Sequence, residues 1–207
     1  MKKNSPYTAA LTGGGFLLEE TFILLPLLQS EDSDSLLKDE ATNNRLLHIN
    51  SETSRKRIIA EIVRRYKTMS TPFWSDYKEM DENDRRAANL LVILKTYKIL
   101  FDFHISVTMK RWHSISKSVS LDDIMMEFNE ISARDEFVDS WTEATKKKVA
   151  SAYLSILRKA NMMDNRNNLL SLSCNNYDYY MVHGESWFLE ACLLQPYQIE
   201  SIKKRLI

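Results

Sequence analysis

The chain has 207 residues, with 28 Lys and Arg against 28 Asp and Glu, and only four Gly, four Pro and two Cys. That length supports a real core; the Gly and Pro counts exclude a turn-rich all-β fold, and two cysteines exclude a disulfide framework while suiting a reducing cytoplasm. Because the charges balance, net charge does not support nucleic-acid binding, and any such reading rests on where the charges lie.

Thr12-Gly13-Gly14-Gly15 ends a polar arm. Without a preceding strand or a following Lys-Ser/Thr it is not a phosphate loop but a lead-in to a helix over Phe16–Leu28. A short helix over Ser35–Asn43 and a connection over Asn44–Asn50 follow. Ser51 is a good N-cap and Glu52 complements the dipole of a helix running to Lys67 or Met69, ahead of Thr71-Pro72. Its apolar positions Ile58, Ile59, Ile62, Val63 and Tyr66 share one face. A short helix, a connection and a basic helix outline a helix-turn-helix.

The stretch Asp81–Ser116 is the longest helical pattern, apolar nearly all round from Leu90 to Phe103 and hence central, with a bend expected near Asp102–Ser106. Ser120 caps a helix to about Ile131, Ala133–Trp141 is another short helix, and Thr142 caps a second basic helix to about Ala160. Alternation over Leu169–His183 predicts a small hairpin, the wing of a winged helix, before two short helices over Ser186–Leu194 and Pro196–Leu206. Neither Phe16–Leu28 nor Ala87–Val107 supplies the roughly 20 uninterrupted apolar residues of a membrane span. No cleavable signal is visible, so the expectation is a cytoplasmic protein.

Two segments 91 positions apart are nearly the same. Ser51-Glu52-Thr53-Ser54-Arg55-Lys56-Arg57-Ile58 and Thr142-Glu143-Ala144-Thr145-Lys146-Lys147-Lys148-Val149 each read hydroxyl, Glu, small, hydroxyl, three bases, β-branched apolar. The Ser/Thr-Glu start is common to good helix starts. Three cations at the positive end of a helix are locally unfavourable, which points to an external anion, nucleic-acid phosphate first. The similarity extends to the buried face, where Val149, Tyr153, Leu154 and Leu157 coincide with Ile58, Ile62, Val63 and Tyr66, and both basic segments follow acidic ones. The candidate DNA contacts are Thr53, Arg55, Lys56, Arg57, Arg64 and Lys67 on the first helix, and Lys146, Lys147, Lys148, Ser151, Ser155 and Arg158 on the second. Small and hydroxyl residues interleaved with cations suit close approach to a major groove, although a solvated helix face has the same composition.

Nothing comparable marks catalysis. His48, His104, His113 and His183 lack metal-ligand spacing with Cys174 and Cys192, and Glu19-Glu20 have no identifiable partner. No cofactor, metal or catalytic residue is expected. Tyr177, Tyr179 and Tyr180 form an aromatic cluster that closes a core or stacks on unpaired bases.

The start Tyr7-Thr-Ala-Ala-Leu-Thr-Gly-Gly-Gly-Phe-Leu-Leu-Glu-Glu20, the Ser51–Arg57 segment and Ala87-Ala-Asn-Leu-Leu91 resemble the BrxA family of bacterial BREX phage-exclusion systems. The resemblance implies an all-helical protein with two helix-turn-helix units that binds double-stranded DNA beside methyltransferase and ATPase components. The expected architecture is all-α: an N-terminal region (1–80) with one helix-turn-helix, a central spine (81–116), and a C-terminal region (117–207) with the second. The expected function is non-enzymatic DNA binding in phage defence by a monomer with no membrane role. The alternatives are a helical scaffold docking other defence proteins and an RNA-binding helical domain.

Overall fold

A computed structural model describes residues 5–10 and 15–206. These residues are all-α, with only two isolated bridges, Ser118 to Asn168 and Met163 to Leu169, outside the helices. The Gly13-Gly14 lead-in lies outside the described residues.

Helix α1 (Leu18–Leu28) packs on α2 (Ser33–Asn43), and both pack on α3 (Glu52–Tyr66). They enclose a small core of Leu17, Leu24, Leu28, Leu37, Ala41, Ile59 and Ile62. Residues 71–79, for which the sequence predicts no element, form α4 (Thr71–Glu79), with Pro72 at the helix start where a missing N–H costs nothing. Its Trp74 stacks on Tyr66, 5.2 Å between ring centroids, and donates from its indole to the Tyr66 carbonyl. Tyr66 thereby joins the small core to the main one.

The main core surrounds α5 (Glu82–Thr96), whose residues Ala87 to Leu94 are all buried, as an all-round apolar pattern requires. The spine is not one helix. It breaks at Tyr97, which is extended (φ −121°, ψ 100°), and restarts as α6 (Lys98–Phe103). The expected bend near 102–106 is instead a π-helical widening over His104–Met109, continued by α7 (Lys110–Trp112). At the break the Tyr97 hydroxyl donates to the Glu61 carboxylate of α3 at 2.5 Å.

Ser120 and Asp123 form a reciprocal capping box that starts α8 (Leu121–Arg134). The short α9 (Glu136–Asp139) leads to α10 (Glu143–Lys159), which packs on α8. The C-terminal wing is a correction. Leu169, Leu170 and Leu172 donate to Lys117, Met162 and Cys192 respectively. Three different partners support three extended contacts but no strand ladder, and the tyrosines that completed the alternation lie at or within α11 (Asp178–Val182). Helices α12 (Trp187–Ala191) and α13 (Pro196–Arg205) close the described chain. Among the described residues no helix is long and apolar enough to cross a membrane, and no cluster of His, Cys, Asp and Glu could hold a metal.

Candidate nucleic-acid interface

Both basic helices start as their sequences dictate. The Ser51 hydroxyl accepts the Ser54 N–H and the Thr142 hydroxyl accepts the Thr145 N–H, at 3.3 and 3.2 Å. The offset of 91 extends backwards as well. It places α2 on the C-terminal part of α8, and eight residues (44–51 and 135–142) separate each of these helices from its basic partner. The helix paired with α10 is therefore α8; the anticipated Ala133–Trp141 helix is reduced to α9 within the link. Part of the acidic lead-in has a structural use. The buried Glu40 carboxylate accepts the N–H groups of Arg45, Leu46 and Leu47, while Asp135 caps α9 through the Val138 N–H.

The three bases of each repeat divide in the same way. Arg55 is buried and donates to four carbonyls: Ala41, Thr42, Ile49 and Asn50. Lys146, at the equivalent position, is also buried and donates to the Ser132 hydroxyl at 3.0 Å. Arg55 and Lys146 are thus withdrawn as phosphate contacts, because at those positions the helix faces its partner and the cation completes a buried hydrogen-bond set. The second and third bases are exposed: Lys56 and Arg57 on α3, Lys147 and Lys148 on α10. Lys56 forms a surface pair with Glu52 at 2.6 Å, a contact worth little in water. Arg57, Lys147 and Lys148 have no ion-pair partner among the described residues.

The match persists along the faces. Ala60 and Ser151 are both exposed, as are Lys67 and Arg158 at the C-terminal ends; Arg158 donates to Asn167 at 2.7 Å. Thr53 is exposed and Ser155 half-buried. Arg64 is less free: it lies 3.4 Å from Glu61 and donates to the Tyr97 hydroxyl at 3.2 Å, which holds its basicity above the usual value. Lys159, exposed at the end of α10, adds a cation that its position beside Arg158 in the last turn makes legible.

Below Arg64 lies a network that periodicity does not reveal. Glu61 and Arg65 are both buried and paired at 2.7 Å, and Arg65 also donates to the carbonyls of Phe16 and Gly15. The Tyr97 phenol completes the set, pushed up to about 12 by burial first and then by its bond to the Glu61 carboxylate. The only sequence signal is the Glu–Arg spacing of four on one helix.

The two basic helices end at one place. Asn89 donates to the Phe16 carbonyl that Arg65 also uses, and Arg86, one turn earlier on α5, donates to the carbonyl of Lys159. Arg86 therefore bonds the last turn of α10 directly, while Asn89 shares with Arg65 of α3 the carbonyl of Phe16.

The arrangement offers two helix faces with exposed cations in matching positions. The BrxA family model matches residues 5–173. A relative from Bacillus cereus (strain H3081.97), described as BREX protein BrxA, is 22% identical over 166 residues, 80% of this chain and 83% of that protein. The crystal structure of an uncharacterized protein from Magnetospirillum magneticum shares the fold with a TM-score of 0.76 at 20% identity, covering 91% of this chain and 98% of that one.

Proposed function

Because the chain belongs to the BrxA family, and so to a component of BREX antiphage systems, we propose that it is a non-catalytic double-stranded DNA-binding protein whose α3 and α10 grip one duplex. The helix–link–helix pairs α2–α3 and α8–α10 act as its helix-turn-helix modules. In such modules the second helix brings its N-terminal residues to the groove. The other BREX components are its protein partners.

One observation carries the proposal. Once the buried first base of each repeat is set aside, the exposed cations still coincide: Lys56 with Lys147, Arg57 with Lys148, Lys67 with Arg158. Folding explains the repeated placement of Arg55 and Lys146, but it gives no reason for the solvent-facing Lys56, Arg57, Lys147 and Lys148 to recur near the positive ends of two helices. A phosphate backbone does. On each helix the cations span roughly 16 Å along the axis, by the rise of 1.5 Å per residue, enough to cross a major groove about 12 Å wide.

The test is a fluorescence-anisotropy titration of a 20-base-pair duplex, a single strand and an RNA duplex at two salt concentrations. The proposal expects preferred DNA duplex binding with a log–log salt slope near −5, for about six neutralised phosphates. No nucleic-acid binding at low salt would overturn it in favour of the scaffold, and preference for the RNA duplex would overturn it in favour of an RNA-binding domain.

A further inference from the structure

The break at Tyr97 leaves a cleft of about 570 Å³ between the end of α5, the start of α6 and the approach to α12. Its lining includes Lys95, Thr96, Lys98 and Phe101 from the spine, and Glu185 and Trp187 from the C-terminal segment. The last two lie beyond residues 5–173, the stretch the family model matches. Phe101 and Trp187 meet edge to face, 5.4 Å between centroids at 66°, and neither is fully buried. The Trp187 indole is fixed by donating to Glu185 at 2.7 Å. Around this aromatic floor stand two ammonium groups. Lys95 is paired with Glu185 and Lys98 with Asp102, so each spends one of three donors and stays exposed.

A neighbouring hollow lined by Thr68, Lys95 and Glu185 leads from the end of the first basic helix to the cleft. The Thr96 hydroxyl is 3.0 Å from that of Thr68, and Thr68 directly follows the exposed Lys67 that ends α3. A polynucleotide leaving α3 past Lys67 meets the cleft next. Aromatic surface beside cations is the chemistry that takes a base and its phosphate together, and stacking on such rings needs a base freed from its pair.

We propose that this cleft receives a single unpaired nucleotide, its base against Phe101 and Trp187 and its phosphate against Lys95 and Lys98. The inference deepens the duplex-binding reading and rests on it for the path of the strand. It makes the protein a reader of strand ends or extruded bases adjoining the duplex that α3 holds.

The experiment compares a blunt 20-base-pair duplex with the same duplex carrying one unpaired terminal 2-aminopurine, using the full chain. The overhang should bind about tenfold tighter, within the range that stacking one base supplies, and its fluorescence should be quenched on binding. Trp187→Leu and, separately, the surface change Lys95→Gln should each reduce that gain and leave blunt-duplex affinity unchanged. Equal affinities for the two duplexes with unquenched 2-aminopurine would overturn the inference. So would a Trp187→Leu chain that keeps the gain, or one that weakens both duplexes alike while Lys95→Gln changes nothing. If blunt duplex fails to bind but a short 2-aminopurine single strand is still quenched through Trp187, the cleft stands and the duplex reading falls. If neither binds, both fall.

Discussion

Arg55 and Lys146, 91 residues apart, make the same reach: each extends back fourteen residues to the last turns of the helix paired with its own, to Ala41 on α2 and to Ser132 on α8. What repeats in this chain is therefore a way of fastening a basic helix to its partner, as well as a way of displaying charge. The two fastenings differ in strength, since Arg55 satisfies four carbonyls and Lys146 one hydroxyl.

Arg55→Met should accordingly destabilise the protein by about 3 kcal/mol, because it strands buried carbonyls that the guanidinium now satisfies. Lys146→Met keeps most of the stem and should cost about 1 kcal/mol or less. Urea denaturation followed by circular dichroism checks both. Equal costs would contradict the difference in partners.

The exposed cations should behave in the opposite way. Arg57→Ala with Lys148→Ala should leave the unfolding midpoint unchanged, yet lower duplex affinity and make the log–log salt slope shallower by about 2, one phosphate per residue. Anisotropy titrations across a salt series measure this. An unaltered slope would remove these two residues from the interface.

Glu61 and Arg65 form a buried pair whose counterparts in the second unit are Ala152 and Ile156. Losing one member leaves the other charge uncompensated, so Glu61→Ala alone should cost about 3–5 kcal/mol. The double change Glu61→Ala with Arg65→Ile should cost clearly less than the two single changes added together. A double-mutant cycle by chemical denaturation decides between coupling and independence.

His104 is wholly buried, with one ring nitrogen 3.0 Å from the Tyr153 hydroxyl and the other 2.7 Å from the Ala191 carbonyl. Burial depresses it from 6.5 to about 4. The unfolded chain therefore takes up the proton first, and the contribution is fully present above pH 6.5. It falls as pH drops from 6.5 to about 4, by about 3 kcal/mol across that window. Stability of the native chain minus that of His104→Gln, followed by denaturation from pH 7 to 4, should show this decline; a flat difference would refute it.

The helices were legible because their signals are local. Ser51, Ser120 and Thr142 cap where their sequences say, and the all-apolar run of α5 is central. The break in the spine was not legible, because no Gly or Pro marks it and the Tyr97 contact that accompanies it is with Glu61, thirty-six residues earlier in the chain. The absent wing has a similar cause: alternation predicts extended backbone but cannot say whether one strand or three separate elements will pair with it. At the candidate interface, spacing identified the repeat but not which base of each triplet turns inward. Arg55 precedes the first apolar position by three residues, near enough to the buried face to be drawn under it.

The Arg86 bond to the Lys159 carbonyl gives the last turn of α10 a fixed point on α5. Lys148 stands eleven residues from the end of α10, about 16 Å at 1.5 Å per residue. A tilt of about ten degrees at the Arg86 contact therefore carries Lys148 through roughly 3 Å, the length of a hydrogen bond. Arg86, at the opposite end of α10 from Lys147 and Lys148, thus bears on where those two cations stand, and substituting it would alter their placement without removing either.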